Sequence, residues 1–212
     1  MVLQVRDGHL QVLLWRRARP PFAGLWALPG GRLDRGQTLE RSIRRHLAAK
    51  VDVRELSHLE QLETHADPKG GRVTTAYLGL VRTGLDPAVP EDTRWHPVED
   101  LPRTAFDHGA ITLAGRERLR AKLSYTNLGF ALAPETFTIS ELRDLYTAAL
   151  GHEVSATNLQ RVLLRRSVLV ATGERRPPGR AGGRPAEVYR FRSADLEITD
   201  QFAVLRPPTQ VS

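Results

Sequence analysis

Apolar and polar residues alternate from Val2 to Arg6, break at Asp7-Gly8, and resume as an apolar run from Leu10 to Trp15. Two extended runs around an Asp-Gly pair predict a β-hairpin, because the tight turn needs two residues that tolerate positive φ. The period changes at Leu39, Ile43 and Leu47, which predicts a helix over 39–50 with those three residues on its inner face. Further strands are expected at 54–64, 73–83 and 93–96, the first two joined by a tip at Asp67-Pro-Lys-Gly-Gly-Arg72. A linker helix over 109–122 follows. Phe106-Asp107-His108 before it reads as a hinge or ligand contact, or more plainly as a cap from Asp107 with His108 packed at a domain seam.

The last third carries a different rhythm. Thr138 and Glu141 have capping-box spacing, Phe137 and Leu142 can staple the same helix start, and Leu142, Leu145, Tyr146 and Ala149 mark its buried face. Gly151 stops that helix. A second helix begins after Ser155, with Ala156, Leu159, Val162 and Leu163 on one side and Thr157, Asn158, Arg161 and Arg165 together on the other. Arg166 falls on the apolar side and is expected to snorkel at the helix end. Val168–Thr172 and Glu187–Arg192 then read as strands around the tip 173–185, so the order is helix, helix, basic hairpin: a winged helix-turn-helix. The alternative for that tip is a Gly/Pro/Arg loop that touches nothing.

Composition sharpens this picture at three points. The 212 residues and 41% apolar content are enough for two cores, here divided as 1–124 and 125–212. The absence of cysteine excludes disulfides and thiolate metal sites. No apolar run reaches membrane-span length and no secretory pattern opens the chain, so a cytoplasmic protein with no membrane partner is expected. Strand residues start at Val2 with no lead-in, which suggests a longer or trimmed natural chain, and 204–212 reads as a frayed tail.

Charge is placed unevenly. Residues 155–192 hold nine arginines against Glu174 and Glu187, a balance of +7 that equals the formal charge of the whole chain. A concentrated cationic segment of this kind is the footprint of a phosphate-backbone reader. Arg175, Arg176, Arg180 and Arg184 of the hairpin would lie against phosphates or in a minor groove, while the exposed helix face reads bases.

Candidate chemistry in the first domain centres on residues 30–53. Gly31, Arg45, Leu47 and Val53 stand at the spacing of the Nudix box, a diphosphate-cleaving motif, and LWALPGG at 25–31 is a second Nudix-like feature. The places where that box carries acids are filled by Gln37, His46, Ala49 and Lys50, and its second glycine by Asp52. In the active family, carboxylates at i, i+3 and i+4 share a helix face and hold Mg²⁺ against the substrate diphosphate. Here only Asp34 and Glu40 remain between Gly30 and Val51, badly spaced for a hard-cation cage. Hydrolysis by the usual route is therefore not expected, nor a metal or required cofactor. Lys50 and Arg45 could hold a diphosphate directly, or be solvated helix residues.

A Nudix domain followed by a winged helix resembles the NrtR family, Nudix-related regulators of NAD metabolism. Matching stretches are 105–108, 137–142, 158–166, 183–186 and 189–191, and the resemblance covers about 2–192. It implies an N-terminal Nudix α/β/α sandwich joined to a C-terminal winged helix. It also implies a homodimeric repressor of NAD biosynthesis genes that takes ADP-ribose or a related nucleotide as effector. Two recognition helices would enter successive major grooves of a palindromic duplex, about 34 Å apart. Arg161 or Arg165 would face guanine and Asn158 adenine. The effector would sit where Gly31, Arg45, Lys50, Arg16, Arg17 and Arg72 converge, with Trp26 either stacking on the base or simply buried. Two alternatives remain: a divergent hydrolase drawing carboxylates from Glu60, Glu63 or Asp67, and a constitutive DNA binder.

Overall fold

The computed structural model describes residues 1–66, 73–177 and 184–200. The chain divides into two compact units, Met1–Leu119 and Arg120–Ser212. The expected tips around Arg72 and Arg180, Asp67, and the tail at 204–212 lie outside the described residues.

The first unit is built on a mixed sheet. Strands β1 (Val2–Arg6) and β2 (His9–Arg16) form the expected antiparallel hairpin, closed by Arg6↔His9 with Asp7 at φ 49° and Gly8 at φ 77°. β3 (Trp26–Ala27) and β6 (Thr93–Pro97) both pair antiparallel with β2, and β4 (His58–Ala66) pairs antiparallel with β5 (Val73–Leu80). The parallel β1–β5 pairing, Val2↔Gly79 and Leu3↔Leu80, joins the two halves in the order β3-β2-β1-β5-β4. β4 and β5 are shorter than the hydrophobic pattern suggests, since His58↔Leu80 is the final rung of their ladder. Residues 54–57 have no rung of their own in that ladder, although the Ser57 N–H donates to the Leu80 carbonyl at 2.9 Å.

Helix α1 (Leu39–Val51) begins where Thr38 accepts a hydrogen bond from the Arg41 N–H at 3.2 Å. Its buried stripe differs from the expected one. Leu39 is 42% exposed, whereas His46, Leu47 and Val51 are buried and Ile43 is half-buried. The face is set by Leu47 and Val51 entering one cluster with Val2, Leu13, Val53 and Val81, against which Trp15 and Ile43 also pack. Four-residue steps back from Val51 reach Leu47 and Ile43, and the first turn lies beyond that cluster. Burying this apolar surface is what fixes the helix on the sheet, since a 13-residue helix is marginal alone.

Helix α2 (His108–Tyr125) is longer than expected at both ends, and the division between units falls inside it. In the second unit a short 3₁₀ turn (Leu128–Ala131) precedes β7 (Phe137–Thr138) and α3 (Ile139–Leu150). The capping box is present as expected. Thr138 Oγ1 accepts from the Glu141 N–H at 3.3 Å, and Glu141 Oε2 accepts from the Thr138 N–H at 2.7 Å. Gly151, at φ 72°, ends α3. Helix α4 (Ala156–Arg165) starts on Ser155, whose hydroxyl accepts from the Asn158 N–H. β8 (Leu169–Arg176) and β9 (Ala186–Phe191) complete a three-stranded antiparallel sheet in the order β7-β9-β8. Phe137, Leu142, Tyr146, Leu159, Leu163 and Val188 are buried beneath it.

Strand β8 and Arg166 depart from expectation. β8 runs on through Arg175 and Arg176, because the irregularity between Ala171 and Arg175, with Gly173 at φ 83°, lets pairing resume at Arg175↔Glu187. Those two arginines thus belong to a strand, and not to the tip. Arg166 does not snorkel into water: its guanidinium pairs with Asp200 and donates to the Ser124 carbonyl at 2.8 Å, and its side chain is only 15% exposed.

Candidate functional site

The loop from Leu28 to Arg32 is held against α1 by side chains from the helix. His46, at the first helical acidic place of the box, has Nε2 2.9 Å from the Arg32 carbonyl, so the tautomer carrying a proton on Nε2 donates to it. A Cβ on Gly31 would collide with His46 Cε1, so the ring occupies the space a side chain at 31 would need. Arg45 ties the same loop: it meets Asp34 at 2.8 Å, Gln37 Oε1 at 3.3 Å and the Arg32 carbonyl at 3.3 Å. Its donors are thus directed into the loop. Asp52, standing where the box has its second glycine, closes the helix in the left-handed region at φ 50°, a conformation Asp tolerates better than most residues.

Lys50 occupies the third acidic place of the helix. Its ammonium donates to the Gly30 carbonyl at 2.5 Å and lies 4.7 Å from the centroid of the Trp15 ring, whose Nε1 donates to the Leu28 carbonyl at 3.3 Å. Partial burial, and secondly the Arg17 cation, hold the Lys50 pKa below its ordinary value. The charge of Arg17 thus disfavours the Lys50 ammonium, a cost that an anion would relieve. Ala49 is exposed and carries no polar atom on its side chain. Among the described residues no group of three or more His, Cys, Asp or Glu is placed to hold a metal ion.

The remaining expected effector residues lie on the neighbouring loop. Arg16 Nε donates to the Gly24 carbonyl at 3.1 Å and Arg17 Nε to the Pro21 carbonyl at 3.0 Å, so both arginines shape residues 17–25. Trp26 is half-buried with its ring edge-to-face on His96 at 4.4 Å, and its carbonyl accepts from the Ala105 N–H at 2.7 Å. Arg72 lies outside the described residues. Of the carboxylates weighed for an alternative cage, Glu60 meets His58 at 3.0 Å and Arg118 at 3.6 Å, and Glu63 meets His65 at 2.9 Å.

His108 is tied to the first unit. Its Nδ1 accepts a hydrogen bond from the Leu28 N–H at 2.9 Å, inside the first unit. Burial, as the largest cause, pushes its pKa down to about 4, so the ring is neutral and fit to accept. Nothing in the local sequence signals this bond, because its donor is a backbone group eighty positions earlier.

In the second unit, α4 presents the face that its periodicity predicts: Thr157, Asn158, Arg161 and Arg165 are exposed, with Leu159 and Leu163 buried opposite. Arg161 Nη2 donates to Asn158 Oδ1 at 2.7 Å, which orients the two polar ends together. Arg175 and Arg184 are exposed. Arg176 is gripped by both oxygens of Glu141 at 2.6 Å, so the strand leading to the wing is tied to the capping box of α3. Arg180 lies outside the described residues. The anchoring role of Glu141 is not visible in the sequence, where its spacing announces only the cap.

A Nudix-like frame with the acids of its box replaced, followed by a cationic helix-turn-helix with a β-wing, is the architecture of a DNA-binding regulator. Comparison with known proteins agrees. Residues 1–114 match the NUDIX domain and residues 129–191 match the NrtR DNA-binding winged helix domain. The chain is 31% identical to the ADPR responsive transcriptional repressor NtrR of Acinetobacter baylyi, over 93% of this chain and 82% of that protein. It resembles the crystal structure of Shewanella oneidensis NrtR complexed with a 27mer DNA, with a TM-score of 0.75, 34% identity and 90% of each chain covered. A more distant likeness, 27% identity over 50% of this chain and 68% of the other, is to an ADP-ribose pyrophosphatase of Methanocaldococcus jannaschii. The chain belongs to the NrtR family of transcriptional regulators. Among its described residues no helix is long and apolar enough to cross a membrane.

Proposed function

We propose that this chain is a transcriptional repressor that binds operator DNA through α4 and the β8–β9 wing and is released by ADP-ribose or a related nucleotide. The observation that carries the reading is Lys50, an ammonium seated on the Gly30 carbonyl where the box of active relatives has a metal-binding carboxylate. A fixed cation there neutralises a diphosphate without supplying the Lewis acid that cleavage needs. Binding is thereby kept and turnover lost, with no cofactor required. The Acinetobacter relative is described as ADPR responsive, which supports the choice of effector. A homodimer acting in the cytoplasm on a palindromic site upstream of NAD biosynthesis or salvage genes completes the reading. Ligand acts by binding one conformation of the dimer better than the other.

An operator-shift assay with and without ADP-ribose at fixed salt tests it, because duplex affinity has no meaning without the salt. Loss of the shifted band on adding ADP-ribose is expected. Rapid formation of AMP from ADP-ribose and Mg²⁺ would instead favour the hydrolase reading, to which the pyrophosphatase likeness points. Arg161→Ala and Arg165→Ala are each expected to weaken operator binding by about 1–3 kcal/mol and to relax discrimination at one base pair. Arg175→Ala, a backbone contact on this reading, should weaken binding to operator and random duplex alike. Equal losses on both duplexes for all three variants would show that α4 does not read sequence.

A further inference from the structure

The loop between β2 and β3 and the segment before α2 bring two phenylalanines together at the surface of the first unit. Phe22 is 46% exposed and Phe106 is 51% exposed, with ring centroids 4.8 Å apart and planes at 72°. Both residues sit in the left-handed region, at φ 64° and φ 55°, which is disfavoured for a side chain of that size. Surrounding structure holds them there. Gly24 N–H donates to the Arg17 carbonyl, Leu25 N–H to the Phe22 carbonyl, and Ala105 N–H to the Trp26 carbonyl. The His108 ring, fixed by its bond from Leu28, stands 5.4 Å from Phe106.

Exposed rings held in unfavourable backbone conformations point to a use outside the fold. Arg17 shows which use. Its guanidinium lies over Phe106 at 5.0 Å, and it stands two residues beyond Trp15, whose ring the Lys50 ammonium faces at 4.7 Å, so one short stretch of chain links the aromatic pair to the corner beside Gly30. Trp26 is more buried than either phenylalanine. We propose that Phe22 and Phe106 form a stacking platform for the nucleobase of the effector, with Arg17 spanning from this platform to the phosphate corner at Lys50. This deepens the nucleotide-receptor reading and rests on it. Every base has a π-face, so the platform takes any purine nucleoside diphosphate whose phosphates reach Lys50, while other contacts choose among bases.

Phe106→Leu and Phe22→Leu keep apolar bulk while removing the π-face, and Phe106→Trp restores it. Titration of the full-length protein with ADP-ribose, and with inorganic pyrophosphate as a base-free probe, separates the platform from the phosphate corner. The expected result is ADP-ribose affinity about tenfold or more weaker in each leucine variant, near wild type in Phe106→Trp, and unchanged for pyrophosphate. Unchanged ADP-ribose affinity in both leucine variants would overturn the platform, as would equal loss of both ligands with a lowered melting temperature. A shift in sedimentation without change in ADP-ribose affinity would assign the pair to a contact between copies of the chain and overturn it too. If the wild-type protein binds neither probe, the receptor reading itself fails, a result distinct from failure of the platform alone.

Discussion

Lys50→Ala is expected to weaken ADP-ribose binding by about 2–5 kcal/mol, thirtyfold or more, as read by calorimetric titration. The size follows from geometry: on the proposed reading, this ammonium replaces the countercharge of a metal, and its removal leaves the diphosphate against the Gly30 carbonyl. Burial, then Arg17, lowers the Lys50 pKa, so the protonated form is disfavoured in the native protein below its folded pKa and that cost is relieved as pH rises. Nucleotide affinity should therefore fall as alkaline pH strips the proton, a limb that Lys50→Gln lacks. Lys50→Met keeps the stem over Trp15 without the charge, so the melting temperature should hold or rise while ADP-ribose binding is lost. Undiminished binding by Lys50→Met would remove Lys50 from the receptor.

His108 predicts the response to acid. Its pKa is about 4 in the folded chain against 6.5 for an ordinary histidine, mainly because burial penalises the charged ring. A depressed folded value means that the stability it contributes is fully present above about pH 6.5 and is lost as pH falls toward 4. The loss is on the order of 3 kcal/mol, since each tenfold drop in proton affinity corresponds to about 1.4 kcal/mol. Urea melts across this range measure it. His108→Asn offers an oxygen near the position of Nδ1 and does not titrate, so its stability should be flatter with pH. Parallel curves for wild type and variant would mean that the Leu28 N–H does not depend on a neutral ring.

Much of the fold is readable locally, and the exceptions share a physical cause. The Asp7-Gly8 hairpin, the Thr138–Glu141 capping box and the two faces of α4 are each specified by residues within a few positions of one another, and all three appear as expected. Leu39 leaves its expected face because the stripe that α1 buries is decided by the cluster around Val51 and Val2, which periodicity alone does not locate. Arg175 and Arg176 read as tip residues in the sequence because the irregularity at Gly173 interrupts the alternation without ending the strand. In the site, substitution of the box acids is legible residue by residue. The partners of those substitutes are not: Lys50 on Gly30, His46 on Arg32 and Arg176 on Glu141 are contacts between segments, which a single chain of letters does not order.

Lys50 holds its ammonium on a covalent stem fixed in α1. On the proposed reading, occupancy of such a receptor needs no divalent ion, whereas a cage of carboxylates makes it depend on nucleotide and divalent ion together. Chelators should leave the DNA switch untouched, and a cell whose free magnesium fluctuates would still obtain an undistorted readout of its nucleotide pool.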